Sequence, residues 1–356
     1  MATTPTELTL ELRPRSRFDV IDVATRIRTE FGDVLDRYQR AFYCSYHTTA
    51  GYLEQSLCAR LDYRSDRLAP FIHAVQRLFP PDAGYRHDQM DLRNELSEDQ
   101  KKVEPRNADS HLTFIGSGLR NCVTYLTQPG RPVFFLELDG VYEGQVRNRR
   151  TSVLAFDREE TVAVERMEIP VSRHQLTSVN LSDPGVGLFD QIDEMLRRHP
   201  IAKGRVELHL DASEDDAALT VNEYETLLMK HDLREVLQNP VHFMAQKGRN
   251  MLRDPKAIPS KSLGYAKYDL VRVLNEMIDV LGLSESALER LVARVMGVPA
   301  RKFLRLKRST SLPISNRESE STGHVVRGTY QSPILIQWRN SSRGARKLAV
   351  ALREFV

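Results

Sequence analysis

The chain has 356 residues, three cysteines and a net charge of +3, enough length for about two domains of ordinary size, each with its own core. Cys44, Cys58 and Cys122 are an odd number in no metal-ligand spacing, which excludes a disulfide scaffold and points to free thiols in a reducing compartment. No stretch approaches the ~20 apolar residues of a membrane span, and the first residues lack the apolar core of a signal peptide, so the reading is a soluble cytoplasmic protein whose net charge does not by itself call for nucleic acid.

Residues 8–12 alternate apolar and polar as a strand does, after which Phe18, Ile21, Ala24 and Ile27 recur at three-residue steps and predict one helical face. "AFYC" at 41–44 reads as a buried strand that stops at His47, Thr48 and Thr49, where a strand end can face a pocket. "DRLAPFIHAVQRLF" at 66–79 predicts a helix burying Leu68, Ile72, Val75 and Phe79, stopped by Pro80 and Pro81. The charged stretch from Leu92 to Asp109 reads as a solvated loop before a short helix in "SHLTFIGSGL", capped by Asn107 or Asp109. "NCVTYLT", "RPVFFLELDG" and "RRTSVLAF" are three further strands.

Near Glu168 the order begins again: strand, polar loop, a helix with Phe189, Ile192 and Leu196 on one face, and the strand "GRVELHL". "LTVNEYETLLMKHDLREVLQ" at 219–238 reads as helical, and residues 323–356 read as a closing antiparallel pair. A block at about 240–310 has no evident counterpart in the first half and is taken as a helical insertion. A period near 160 residues is too long for a solenoid, so the pattern implies two copies of one domain, 1–160 and 161–356.

These halves carry a recognisable set of motifs. The first holds "HTTAGYLEQ" at 47–55, "YRH" at 85–87 and "NADSHL" at 107–112; the second holds "AALTVNE" at 217–223, "SLPI" at 311–314 and "GTYQSPILIQW" at 328–338. On these residues the chain resembles the YjbQ-like family, in which an HTTA or HTSA strand end, an LTxNE segment, a YxH, an AHL helix start and a GTWQ strand follow one another. The first half lacks the GTWQ segment, and in the second Glu214 stands where the HTTA histidine belongs. The resemblance implies an α+β fold of two YjbQ-like domains, each a mainly antiparallel sheet packed around helices, with the insertion in the second. It also implies a homo-oligomer, since the family is trimeric.

The family is known for a secondary thiamine-phosphate synthase activity, so the resemblance implies a histidine-lined pocket for a small phosphorylated molecule and, at most, a transferase side activity. His47, His111 and Glu137 are then the candidate catalytic residues. Thr48, Thr49, Arg147, Arg149 and Gln331 are the candidate substrate contacts, guanidinium forks suiting a phosphate. His47, His87, His111 and Asp109 form the candidate set for a divalent ion, zinc or magnesium. A composite site, with His47 and His111 facing Thr329, Tyr330 and Gln331, would repair the losses of both halves. Each assignment has a structural alternative: capping or core histidines, threonines bonded to their own turn, and arginines guarding an edge strand.

A different class of function rests on the block at 284–309. Ser284 or Ser286 can cap a helix bearing Leu288, Leu291, Val292 and Val295, Gly297 can end it, and a second helix carries Arg301, Lys302, Arg305, Lys307 and Arg308. That pattern fits a helix-turn-helix on nucleic acid, and equally a helical hairpin with one charged face. "GSG" and "GVG" open no dinucleotide fingerprint, and the acidic "HLDASEDDAAL" reads as a solvated loop before it reads as a cation site.

Overall fold

The computed structural model describes residues 4–93, 96–174, 177–224, 232, 306–316 and 320–356. In chain order the elements are β1 (Thr6–Leu12), β2 (Asp19–Asp22), α1 (Val23–Phe31), β3 (Arg40–Ser45), β4 (Ala50–Tyr52), α2 (Gln55–Arg60), α3 (Ser65–Leu78), α4 (Glu98–Val103) and α5 (Ala108–Ser117). There follow β5 (Cys122–Leu126), β6 (Phe134–Glu137), the hairpin β7 (Val141–Tyr142) and β8 (Gln145–Val146), β9 (Arg149–Phe156), β10 (Glu159–Pro170), β11 (Thr177–Asn180) and α6 (Leu188–Arg198). The last are β12 (Gly204–Leu210), β13 (Ala217–Asn222), β14 (Ser309–Ser315), β15 (His324–Val325), β16 (Ser332–Gln337) and β17 (Ala345–Phe355).

The protein is α+β, and every pairing between these strands is antiparallel. Two compact units divide the chain. One gathers Met1–Gln55, Leu119–Tyr224 and Leu306–Val356; the other takes Ser56–Gly118 and 225–305, a stretch of which only Asp232 is described. No helix among the described residues is long and apolar enough to cross a membrane.

The sheets of the first unit come in matching pairs. Strands run β1-β9-β3-β5 in one and β10-β17-β12-β14-β15 in another, while β2-β6-β4 is matched by β11-β16-β13. Exchanging β1, β9, β3 and β5 for β10, β17, β12 and β14 turns the first order into the second, and α1 follows β2 as α6 follows β11. The long chain excursions also correspond. One leaves after β4 and returns at β5, the other leaves after β13 and returns at β14. The block near 240–310 read as an insertion lies, apart from residues 306–310, outside the described residues; it falls in the second of these excursions, as residues 56–118 fall in the first. Both sets of sheets lie in one unit because they share apolar surface: the Phe156 and Phe355 rings stack 3.9 Å apart, and Phe42 meets Phe355 edge-on at 5.5 Å.

Several expectations need correction. Residues 19–22 are strand, paired with β6, so Phe18 and Ile21 precede the helix; Asp22 caps it, accepting from the Thr25 backbone N–H at 3.2 Å. The run from Leu219 begins as strand through Asn222, because Ala217 to Asn222 pair with β16; Glu223 and Tyr224 are neither strand nor helix, and the rest of the run lies outside the described residues except for Asp232. The two closing strands do not pair with each other. β16 sits between β11 and β13, and β17 between β10 and β12, since the turn at 338–344 carries the chain from one sheet to another. The proposed helix-turn-helix falls outside the described residues apart from its last few. There the backbone is not helical: Lys307 bridges to Leu219 and pairs with Glu54 at 2.5 Å, while Arg308 pairs with Asp215 at 3.0 Å.

Helix α6 shows why these elements sit where they do. Leu188, Ile192, Met195 and Leu196 line one face and are buried against Val206, Leu208 and Val350 of the sheet, while Arg197 and Arg198 occupy the last turn, where cations suit the helix dipole. Burying such side chains is worth roughly 1.5–3 kcal/mol each. In the second unit α3 packs on α5, every residue of α5 is buried, and Gly118 ends α5 at φ 74°, a left-handed turn that glycine adopts without strain.

Candidate functional site

The 47–49 loop of the first unit is shaped by the strand it leaves. Ala41 to Ser45 are all buried, so the chain must turn within a few residues. The Ser45 hydroxyl makes that turn, donating to the Ala50 carbonyl at 2.6 Å and accepting from the His47 N–H at 3.3 Å. Two amides from late in the chain hold the loop from outside. Gln331 Nε2 donates to the carbonyls of Ser45 at 2.9 Å and His47 at 3.0 Å, and Asn222 Nδ2 donates to that of Thr48 at 3.0 Å.

Behind the loop lies Arg149, 6% exposed. Its Nε and Nη2 donate to the two oxygens of Glu137, the latter at 2.9 Å; Nη2 also reaches the Asp139 carbonyl at 3.1 Å and Thr49 Oγ1 at 3.3 Å. Glu137 is fully buried, and that burial pushes its carboxyl above the usual range against the opposing pull of Arg149. Arg147 pairs with Asp139 at 2.9 Å, and Arg150 lies over the Tyr46 ring at 4.7 Å. The charges of Arg147 and Arg149 are thus already met by carboxylates, so a phosphate drawn to them would compete with Asp139 and Glu137.

His47 is held through one nitrogen. Its Nε2 accepts from the Arg150 backbone N–H at 2.8 Å, so Nδ1 carries the ring proton and only lies near Arg149, 3.4 Å from Nη1. Burial, followed by the nearby charges of Arg149, Arg150 and Arg147, pushes its pKa down to about 3. At neutral pH the ring is an uncharged acceptor, and ligation through Nε2 would give up the bond to Arg150. The depressed value has a consequence for stability. The unfolded chain takes up this proton near pH 6.5 while the folded chain refuses it until about 3, so the contribution is complete above 6.5 and is lost as pH falls across that interval. Thermal unfolding of His47→Gln, whose amide oxygen can still accept from Arg150, is expected to lose less stability between pH 7 and pH 4.5 than the unaltered protein. Equal acid sensitivity would refute that origin.

The second unit holds the other histidines. His87 and His111 are each 1% exposed, with ring centroids 5.1 Å apart. Asp88 Oδ1 stands 3.0 Å from His87 Nδ1 and also accepts from the Ala108 N–H at 3.1 Å, at the first turn of α5. Because a carboxylate only accepts, Nδ1 turns a proton toward Asp88, the arrangement that orients metal-binding imidazoles. Asp232 receives the backbone N–H groups of Arg86 at 3.2 Å and His87 at 3.1 Å, which fixes the chain beneath the ring. Asp109 is buried on α5, two residues before His111.

Of the residues singled out from sequence, the first unit gathers His47, Thr48, Thr49, Glu137, Arg147, Arg149 and Gln331, and the second gathers His87 and His111 with Asp109 on the same helix. Tyr330 is 69% exposed beside Gln331. Sequence reasoning passed over Asp88, Asp139, Asn222, Asp232 and Arg346. Of these Asp88, adjacent to His87, Asp139, within the quoted RPVFFLELDG, and Asn222, within the quoted AALTVNE, carried a local signal.

No family model and no curated protein matches the sequence. Among solved structures the chain is similar to a YbjQ-like protein of unknown function from Sulfolobus solfataricus, at 16% identity over 55% of this chain and 99% of that one, with a TM-score of 0.29. It is similar also to a hypothetical protein from Aeropyrum pernix, at 14% identity over 53% and 97%, with a TM-score of 0.28. A third is an uncharacterized conserved protein of the YjbQ family from Clostridium acetobutylicum, at 11% identity over 53% and 98%, with a TM-score of 0.27.

Proposed function

We propose that the chain is a tandem YjbQ-like protein that holds one divalent ion, zinc by the chemistry of its donors, on His87 and His111, and binds a small phosphorylated molecule beside it. The observation that carries this reading is the imidazole pair at 5.1 Å with Asp88 on Nδ1 of His87. Two neutral imidazoles, one oriented through its far nitrogen by a carboxylate, suit zinc better than magnesium, which prefers oxygen donors. When bound, such an ion supplies positive charge to a phosphate oxygen or a departing pyrophosphate. The protein's own part is to hold His87 in one tautomer through Asp88 and to fix its backbone through Asp232. The strand-for-strand agreement of the two halves supports the tandem reading, and the hold of Gln331 and Asn222 on the 47–49 loop supports a role for the second half in completing the first.

Calorimetric titration of chelator-treated protein with zinc is expected to give one tight site. His87→Ala and His111→Ala should each abolish it, Asp88→Asn should weaken it about 10–100-fold, and His47→Gln should leave it intact. Absence of binding, or tight binding that survives His111→Ala, would overturn the assignment. The zinc-loaded protein should then bind pyrophosphate more tightly than the metal-free form. Formation of thiamine phosphate from the pyrimidine pyrophosphate and the thiazole phosphate would identify the transferase activity.

A further inference from the structure

Two buried arginines occupy matching places in the first unit. Arg149 opens β9 opposite Leu12 of β1, and Arg346 lies near the start of β17 opposite Ile169 of β10; each is 6% exposed. Arg149 binds Glu137, the last residue of β6, and Arg346 donates through Nε to the Gln337 oxygen, the last residue of β16, at 3.1 Å. Glu137 pairs across the strands with Ala50, and Gln337 with Ala217. Two residues beyond each strand end a carbonyl receives Nη2 of the arginine, that of Asp139 in one half and of Arg339 in the other.

The loop residue three positions before each alanine completes the match. His47 lies 3.4 Å from Arg149 and accepts the Arg150 N–H; Glu214 accepts from Arg346 Nη1 at 2.8 Å and from the Lys347 N–H at 3.1 Å. His47 and Glu214 hold the same place beside the arginine and each accepts the backbone N–H of the residue after it, but the charge has moved. It sits on the strand in the first half, with a neutral ring on the loop, and on the loop in the second, with a neutral amide on the strand. A buried guanidinium requires one anionic partner: none leaves a buried cation, and two leave a surplus anion.

We infer that Glu214 and Gln337 are the second half's counterparts of His47 and Glu137, with carboxylate and neutral acceptor exchanged around the same arginine, so that the second half contains a latent copy of the His47 site. The inference rests on strand and hydrogen-bond correspondence and is independent of the metal proposal, since zinc titration should be unchanged in every variant below. The neighbouring acids of that loop are already engaged, Asp215 with Arg308 and Asp216 with Arg339 at 3.3 Å, so Glu214 is the loop's anion for Arg346; Gln337 Nε2 also donates to the carbonyls of Ser172 at 3.1 Å and His174 at 2.9 Å, bonds that Gln337→Glu gives up.

The test is a four-way comparison. Glu214→His leaves Arg346 without an anion and Gln337→Glu gives it two, and each is expected to lower the folding equilibrium constant at least tenfold. The double variant should be at least tenfold more stable than the sum of the two single losses allows, the remaining loss coming from the two carbonyl bonds of Gln337 Nε2. In nitrogen-15 NMR the introduced imidazole should show protonated Nδ1 and unprotonated Nε2 and should not titrate between pH 5 and 8, as expected of His47. The mirror pair, His47→Glu with Glu137→Gln, should show the same rescue if either single variant fails to fold. A double variant as damaged as the sum of its singles, or an imidazole titrating near its ordinary ~6.5, would overturn the inference.

Discussion

Replacing Arg149 by methionine is expected to destabilise the protein by about 3–5 kcal/mol, because the change leaves a fully buried carboxylate without its cation. Glu137 has no exposed surface; beside Arg149 it accepts the Asp139 N–H at 2.7 Å, and a neutral donor does not replace a cation for a buried carboxylate. The loss reaches further. Arg149 also joins Thr49, the Asp139 carbonyl and the edge of the His47 ring, so the turn between β3 and β4 loses its inner anchor. Urea unfolding measures this directly. Combining Arg149→Met with Glu137→Leu should recover much of the loss, since removing both charges lifts the desolvation penalty that removing one exposes. If the single variant unfolds within 1 kcal/mol of the original protein, the pair contributes little and the account of the loop fails.

Gly328→Ala is the second large effect, expected at about 2–4 kcal/mol. A Cβ at this position would stand 1.9 Å from the Tyr46 carbonyl oxygen and 2.8 Å from its carbon, both rigid backbone atoms, so one segment has to withdraw. Withdrawal carries Gln331 with it, because its side-chain oxygen accepts the Gly328 N–H at 3.0 Å while its amide nitrogen holds the carbonyls of Ser45 and His47. Gln331→Ala removes those bonds without the clash and should cost less, about 1–3 kcal/mol. Chemical unfolding ranks the two, and proton exchange at the His47 and Thr48 amides should quicken in both. Equal stability of Gly328→Ala and the original protein would show that the approach of 328 to 46 is not a constraint.

Much of the architecture was legible because local pattern and burial agree. The strand at 204–210, the helices at 65–78 and 108–117, and the α6 face needed only periodicity and breakers to be found. The place of Glu214 opposite the HTTA histidine was also readable by counting back from an alanine, and its contacts with Arg346 and Lys347 follow that alignment. Periodicity misled at 19–22, where apolar steps of three ran from a loop through a short strand into a helix, a case in which pairing with β6 outweighs the pattern. It misled again after Leu219, where good helix formers follow β13 directly.

The chain alone determines where apolar runs, breakers and motif residues lie, and so most strands, the helices at 65–78, 108–117 and 188–198, and a strand–helix–strand order that occurs twice; it did not show α2 or α4, the latter inside a charged stretch that reads as a loop. Tertiary structure decided which strands become neighbours, that both sets of sheets share one unit, and which buried charges meet. Those outcomes depend on atoms brought together across long separations, as with Arg149 and His47 or Arg346 and Glu214, and on cancelling the cost of burying charge, quantities that no local stretch contains.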